Sequence, residues 1–307
     1  MLILLIILNG LYGSLFTLGK GILSYLPPLF FVGTRMIIGG TILLTFARMW
    51  YRCSFKIKKE HTVWFLALIL THVYLSYSAE YLGMNHVSSI KTVLLYNLSP
   101  FITALFSYLV FSEKMTLKKW VGLLIGFFGF IPYLVENSNP AEMSWYHCCS
   151  GLFSLGELLI MASVVFACMG WICVKKITGQ WGYPYFFVNG IAMIFGGALS
   201  LGTSFLIETW PTQEVLMNPY LWAQLAAIIF VGNIAAYNLH GKLLSRYSAT
   251  VISVFGSTIP LFTALFSWYF LKEPVSLGFF VTFILVSMGI YIFYQEELKR
   301  EYIHRHK

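Results

Sequence analysis

Arg35, His72, Glu80, Lys91 and Glu157 are ionisable side chains inside runs of mostly apolar residues. A charge surrounded by hydrocarbon is costly, so such groups face an interior and pair with one another or with a polar solute. Glu80 and Lys91 stand on either side of a short connection, each about one turn inside its run. They are expected to pair, either as a structural ion pair or as a gate that a substrate opens. Arg35 and Glu157 lie at similar depth in their own runs, where they would pair with each other or orient a substrate carboxylate. His72 sits near the middle of a run. Imidazole titrates near neutrality and could relay a proton, although a hydrogen-bonded packing histidine is the plainer role. Arg35, His72 and Glu157 are therefore read as coupling or gating residues.

A second set of candidates surrounds two prolines. Pro100 and Pro260 fall within apolar runs, where proline removes a backbone donor and crowds the carbonyl four residues earlier. The carbonyls of Tyr96 and Gly256 are thereby freed, and in lipid they need a partner that a watery cavity or a ligand supplies. Asn97 and its counterpart Ser257 lie beside them. Ser253, Ser257, Pro260, Ala264 and Ser267 recur at helical spacing as a small-residue stripe, which close helix packing explains equally well. Asn233 and Tyr237 share a face by their four-residue spacing. No metal site is expected: the five cysteines form no CxxC pair, and nothing near His147-Cys148-Cys149 completes four ligands.

The elements that must carry these groups are membrane helices. Hydrophobic residues make up 58% of the 307 and charged ones only 10%. Soluble domains average about 25% charged. Ten stretches approach the roughly 20 apolar residues that a spanning helix needs. They are 2–19, 29–47, 62–84, 88–111, 118–135, 152–174, 183–207, 219–240, 248–271 and 276–294. Lysine and arginine give the sidedness. One set of alternate loops plus the C-terminal tail holds sixteen of them, and the opposite loops hold two, Lys20 and Lys272. Both termini are thus expected in the cytoplasm of a multi-pass protein of the inner (plasma) membrane. The same pattern accounts for the formal charge of +8 without nucleic acid.

Compared with itself at an offset of 160, the chain repeats. The segment from Pro100 to Ser107 matches that from Pro260 to Ser267, Glu113 matches Glu273, Tyr77 matches Tyr237 and Ser88 matches Ser248. A shorter echo links Pro28 to Val32 with Pro184 to Val188, and Gly39-Gly40 with Gly196-Gly197. Two five-helix halves follow: residues 1–135 and 152–294, joined by an external linker, 136–151, and followed by a charged tail, 295–307. An odd number of helices per half inverts the second half in the bilayer. Inverted repeats can open alternately to either side of a site near the midplane.

These residues resemble the EamA-type branch of the drug/metabolite transporter superfamily. The resemblance rests on Tyr12-Gly13-Ser14, on Pro28 followed by Arg35, and on two copies of a proline helix ending in glutamate, Ser99-Pro100 to Glu113 and Ile259-Pro260 to Glu273. It implies an all-α integral membrane protein of ten helices in two inverted repeats, moving small metabolites such as amino acids or S-adenosylmethionine. It also implies that Tyr12, Tyr96, Trp171 and Tyr237 lie on helices around the central cavity. Together with Glu80, Lys91, Asn97 and Ser257 they form the expected substrate-binding set. No cofactor is expected. The expected partners are a small solute, the bilayer and a coupling proton or counter-substrate, with the chain a monomer or homodimer. A lipid-carrier flippase and a non-transporting scaffold or sensor are the alternatives. An intramembrane enzyme is disfavoured, because the chain has no aspartate and its histidines are dispersed.

Overall fold

The computed structural model describes residues 2–51, 57–102, 105–106, 116–136, 154–236, 239–240, 243, 252 and 255–305. The described secondary structure is helical: α1 (Leu2–Ile22), α2 (Pro28–Tyr51), α3 (Lys59–His86), α4 (Ser89–Tyr96), α5 (Leu117–Phe128), α6 (Ile131–Glu136), α7 (Leu155–Gln180), α8 (Tyr185–Ile207), α9 (Gln213–Leu216), α10 (Pro219–Ala236), α11 (Ile259–Leu271) and α12 (Leu277–Arg305). Seven of these (α1, α2, α3, α7, α8, α10 and α12) are long and apolar enough to cross a bilayer, and α11 is a shorter apolar helix. The protein is an all-α, multi-pass membrane protein.

Proline breaks three of the expected spans, one of them 248–271, at Ser257-Thr258 before Pro260. The 88–111 run stops at Tyr96, turns at Asn97-Leu98 and resumes as helix at 99–102, because Pro100 cannot donate to the Tyr96 carbonyl. The 118–135 run is interrupted at Gly129-Phe130, where Pro132 has the same effect on Phe128. The His147-Cys148-Cys149 run and the linker 137–151 lie outside the described residues.

Two segments wind more widely, as π-helix: Ile69–Leu75 within α3 and Ile229–Ala236 within α10. Their starts are 160 residues apart, the offset of the sequence repeat. Such turns are uncommon and concentrate at functional places.

The chain forms two compact units, each drawing helices from both halves of the sequence. The first holds residues 1–17, 87–158 and 236–307. Here α5 and α12 meet at glycines: a Cβ on Gly289 would lie 2.6 Å from the Gly126 backbone nitrogen and 2.7 Å from the Gly122 carbonyl oxygen. Phe279, Phe293, Leu5 and Leu8 are buried in this unit. The second unit holds residues 18–86 and 159–235, with α2 packed along α8. Cβ atoms on Gly40 and Gly197 would fall 2.9 Å and 3.0 Å from the carbonyl oxygens of Gly190 and Gly33. Without a hydrophobic drive between helices in lipid, such close backbone approach supplies the packing.

Candidate functional site

Glutamates close helix starts in both units. α11 ends with Lys272 in the left-handed conformation (φ 57°), and the Glu273 N–H donates to the Ser267 carbonyl at 3.2 Å. This seven-residue closure through a left-handed residue turns the chain sharply at the helix end. It delivers the Glu273 carboxylate to the start of α4, where it accepts the N–H groups of Ser89 (3.1 Å) and Ile90 (3.3 Å). Ser88 caps the same helix by accepting from the Lys91 N–H. A negative charge among these otherwise orphaned donors is favourable. In the second unit Glu208 accepts from the N–H groups of Leu29 and Phe30 at the start of α2, at 2.9 and 3.0 Å. Lys20 donates to the carbonyl of Met84, at the end of α3.

A chain of hydroxyls runs inward from Glu273. Ser89 Oγ donates to its carboxylate at 2.7 Å. Ser89 has only one proton to give, so the 2.7 Å contact with Ser267 Oγ is donated by Ser267. By the same count Thr17 Oγ1 donates to Ser267 at 2.8 Å. One relay therefore ties α1, α11 and α4 together, and Ser89, Ser267 and Thr17 are all buried.

Further along the first unit the two helix breaks meet. Asn97 Nδ2 donates to the Ser257 carbonyl at 3.4 Å. The turn at Ser257-Thr258 precedes Pro260, as that at Asn97-Leu98 precedes Pro100. Asn9 of α1 fills the second break, donating to the Phe255 carbonyl at 2.7 Å and to Thr258 Oγ1 at 2.9 Å. Tyr12 OH bonds His240 Nδ1 at 3.2 Å, and Phe16 packs edge-on against Tyr96 at 5.4 Å. Tyr12, Tyr96, Asn97 and Ser257 thus share one unit.

Among the described residues the ion pair of Lys91 is not the expected one with Glu80. Lys91 pairs with Glu157. The reason is local: Ser154-Leu155-Gly156-Glu157 is a capping box in which Ser154 N–H donates to Glu157 Oε2 and Ser154 Oγ accepts the Glu157 N–H. That box fixes the carboxylate at the start of α7, leaving Oε1 for Lys91. The ion pair that Glu157 makes among the described residues is thus with Lys91, not with Arg35.

Arg35 is buried in the second unit. It donates through Nε to Asn233 Oδ1 at 3.2 Å and through a terminal nitrogen to Tyr81 OH at 2.8 Å, with the Tyr77 ring 5.7 Å from its guanidinium carbon. Asn233 lies on the π-helical part of α10. Glu80 is buried in this unit. His72, on the π-helical part of α3, packs edge-on to Trp171 at 5.0 Å, and its buried Nδ1 has no hydrogen-bond partner among the described residues. Tyr237 lies outside the described residues.

Sequence reading missed Tyr81, His240 and the Thr17–Ser267–Ser89 relay. Tyr81 and His240 stand in no repeat and no motif. The relay had two clues, Ser267 in the small-residue stripe and Ser88, next to Ser89, with its counterpart serine at 248.

Known proteins match the chain along nearly its whole length. It is 31% identical over 306 residues, 99% of its own length and 94% of the relative's, to a Chlamydia muridarum protein named S-adenosylmethionine/S-adenosylhomocysteine transporter. A Bacillus subtilis protein named an uncharacterized transporter is 25% identical over 288 residues, 94% of this chain and 89% of that one. A solved crystal structure superposes with a TM-score of 0.64 over 95% of this chain and 96% of the other, at 16% identity, which shows a shared fold. A model of the EamA-like transporter family matches residues 1–152 and 154–295. Glycine-packed membrane helices, paired proline breaks and these matches have one explanation: the chain belongs to the EamA-like transporter family.

Proposed function

We propose that this transporter exchanges S-adenosylmethionine, or a zwitterion of the same kind, across the membrane by alternating access. The observation that carries the reading is the meeting of two helix breaks, 160 residues apart in sequence, at Asn97 and Ser257. Broken helices place unspent backbone polarity where a polar solute can use it. The substrate class comes from the relatives: the Chlamydia muridarum protein and one from Chlamydia trachomatis carry the same name, S-adenosylmethionine/S-adenosylhomocysteine transporter, and this chain is 31% identical to each. A zwitterion with an aromatic base suits a site of amide, carbonyl and ring groups. Tyr12 and Tyr96 offer ring faces, and Asn97 a donor and an acceptor. In the second unit Trp171 stands beside His72, whose Nδ1 can accept from a solute or carry a coupling proton when the π-helical segment rearranges. Both termini are assigned to the cytoplasm by the lysine and arginine count.

The Glu273 relay is the latch of the outer end in this reading. While the carboxylate caps α4, α1, α4 and α11 are tied together and the outer mouth stays shut. Glu113 stands at the matching place in the first repeat, outside the described residues, and takes the corresponding part at the inner end.

The test is counterflow in proteoliposomes: labelled S-adenosylmethionine outside, unlabelled S-adenosylhomocysteine or methionine inside. Uptake driven by the first and not by the second is the expected result. Asn97→Ala is expected to slow it by about tenfold, the equivalent of about 1.4 kcal/mol. Accumulation that needs no internal counter-substrate but follows a proton gradient would replace exchange by proton coupling. Absence of uptake of any adenosyl compound would remove the substrate assignment.

A further inference from the structure

We infer that the lysine-bearing end of the second unit is a binding site for the headgroup of an anionic phospholipid. Two basic segments that are more than a hundred residues apart in sequence are brought together there, 58–61 at the start of α3 and 175–183 at the end of α7. The junction is aromatic. Tyr183 OH accepts the Lys58 N–H at 3.2 Å and bonds His61 Nδ1 at 3.0 Å. The His61 ring lies flat on Trp181, with centroids 3.7 Å apart and planes 7° from parallel. The Lys176 ammonium sits 3.7 Å from the centroid of Trp64 and 5.6 Å from that of Trp181.

What this end lacks is negative charge. Lys58, Lys59, Lys175 and Lys176 face a single carboxylate in the two segments, that of the exposed Glu60, and no ion pair joins them to it among the described residues. Other lysines of the chain are spent: Lys20 on the Met84 carbonyl and Lys91 on Glu157. The two indole faces hold the Lys176 ammonium by attraction to their π-electrons and take none of its N–H bonds, so those remain for an anion.

The neighbouring surface selects a lipid rather than a soluble phosphate. Directly below the lysines, Val63, Leu66 and Leu70 of α3 are 70%, 53% and 43% exposed. Their spacing of three and four residues puts them in one stripe along the helix, leading from the charged end toward the middle of the span. A phosphodiester at the lysines and tryptophans, with an acyl chain along that stripe, satisfies both parts at once. Basic pockets between membrane helices on the cytoplasmic side suit such headgroups, and the count of lysine and arginine assigns this end to the cytoplasm.

Native mass spectrometry of the purified full chain tests the site independently of what the protein transports. The probes are phosphatidylglycerol, phosphatidylcholine with the same acyl chains, and inorganic phosphate. One retained phosphatidylglycerol is expected, neither exchanged for phosphatidylcholine nor displaced by millimolar phosphate. The variant Lys58→Gln/Lys59→Gln/Lys176→Gln is expected to lose that affinity by at least about tenfold. Lys58→Gln/Lys59→Gln alone, which alters only exposed side chains, should lose part of it, and Lys176→Arg should keep it. Lys299→Gln/Arg300→Gln in the tail should leave it unchanged. Equal retention of phosphatidylcholine, displacement by free phosphate, or an equal loss in the tail variant would each overturn the assignment.

Discussion

Lys91 and Glu157 show what a buried charge demands of its neighbours. The Glu157 side chain is 3% exposed and that of Lys91 18%, so the carboxylate cannot turn to water if its partner is lost and the ammonium can do so only in part. Removing one member of such a pair costs about 3–5 kcal/mol, whereas replacing both by apolar groups is often close to neutral. Glu157→Gln and Lys91→Met should therefore each lower the unfolding temperature in detergent markedly. The double variant Lys91→Met/Glu157→Leu should recover most of the loss, less what the capping box contributes. If the single variants melt like the parent, the pair is not structural. The choice of Glu157 over Glu80 was hidden in the sequence because both carboxylates lie at a plausible depth. What separates them is the capping box, written plainly as Ser154-x-x-Glu157 but significant only once α7 is seen to start there.

At the scale of helices, two devices set the geometry: proline breaks and glycine contacts. The break at Ser257-Thr258 keeps its polar groups satisfied through Asn9, which supplies two hydrogen bonds from α1. Asn9→Leu removes both and should destabilise the protein by about 2 kcal/mol, read as a lower melting point, with a fall in transport rate. Asn9→Gln, keeping the amide on a longer stem, should recover part of the loss. At the α5–α12 contact, Gly289 lies too close to the Gly122 and Gly126 backbones for any side chain. Gly289→Val should force the helices apart and cost about 1–3 kcal/mol, checked by thermal unfolding in the same detergent. The breaks before Pro100 and Pro260 were legible in the sequence, since these prolines repeat at a fixed offset, whereas that before Pro132 was not. The π-helical turns at Ile69–Leu75 and Ile229–Ala236 were not: neither segment contains proline, and their winding depends on what the helices pack against.

For the molecule as a whole, the latch proposed at Glu273 makes the sharpest demand. Glu273→Ala leaves the first donors of α4 without their carboxylate and cuts the relay at its end. Charge-assisted hydrogen bonds contribute about 1.5–3 kcal/mol, so the equilibrium should move by tenfold or more toward the outward-open form. A cysteine placed at Ile90, a buried side chain that takes no part in the relay, and labelled from outside by a membrane-impermeant maleimide reads that shift as faster modification. Glu113→Ala should move the same reporter in the opposite direction. Like effects from both variants would mean that the two glutamates are not counterparts.

From the residues alone follow the membrane solvent, the expected sidedness, the 160-residue repeat and the resemblance to a transporter family. Each of these depends on composition, on charge counted loop by loop, or on identity at a fixed offset, and none requires knowing which side chains touch. The folded chain decided the partners. It gave Lys91 to Glu157, Arg35 to Tyr81 and Asn233, and Glu273 to the start of α4. Such choices turn on ångström-scale distances between helices whose rotation about their own axes is set by packing. Within lipid, hydrophobic pattern says little about that rotation, because outward-facing and inward-facing positions are apolar alike.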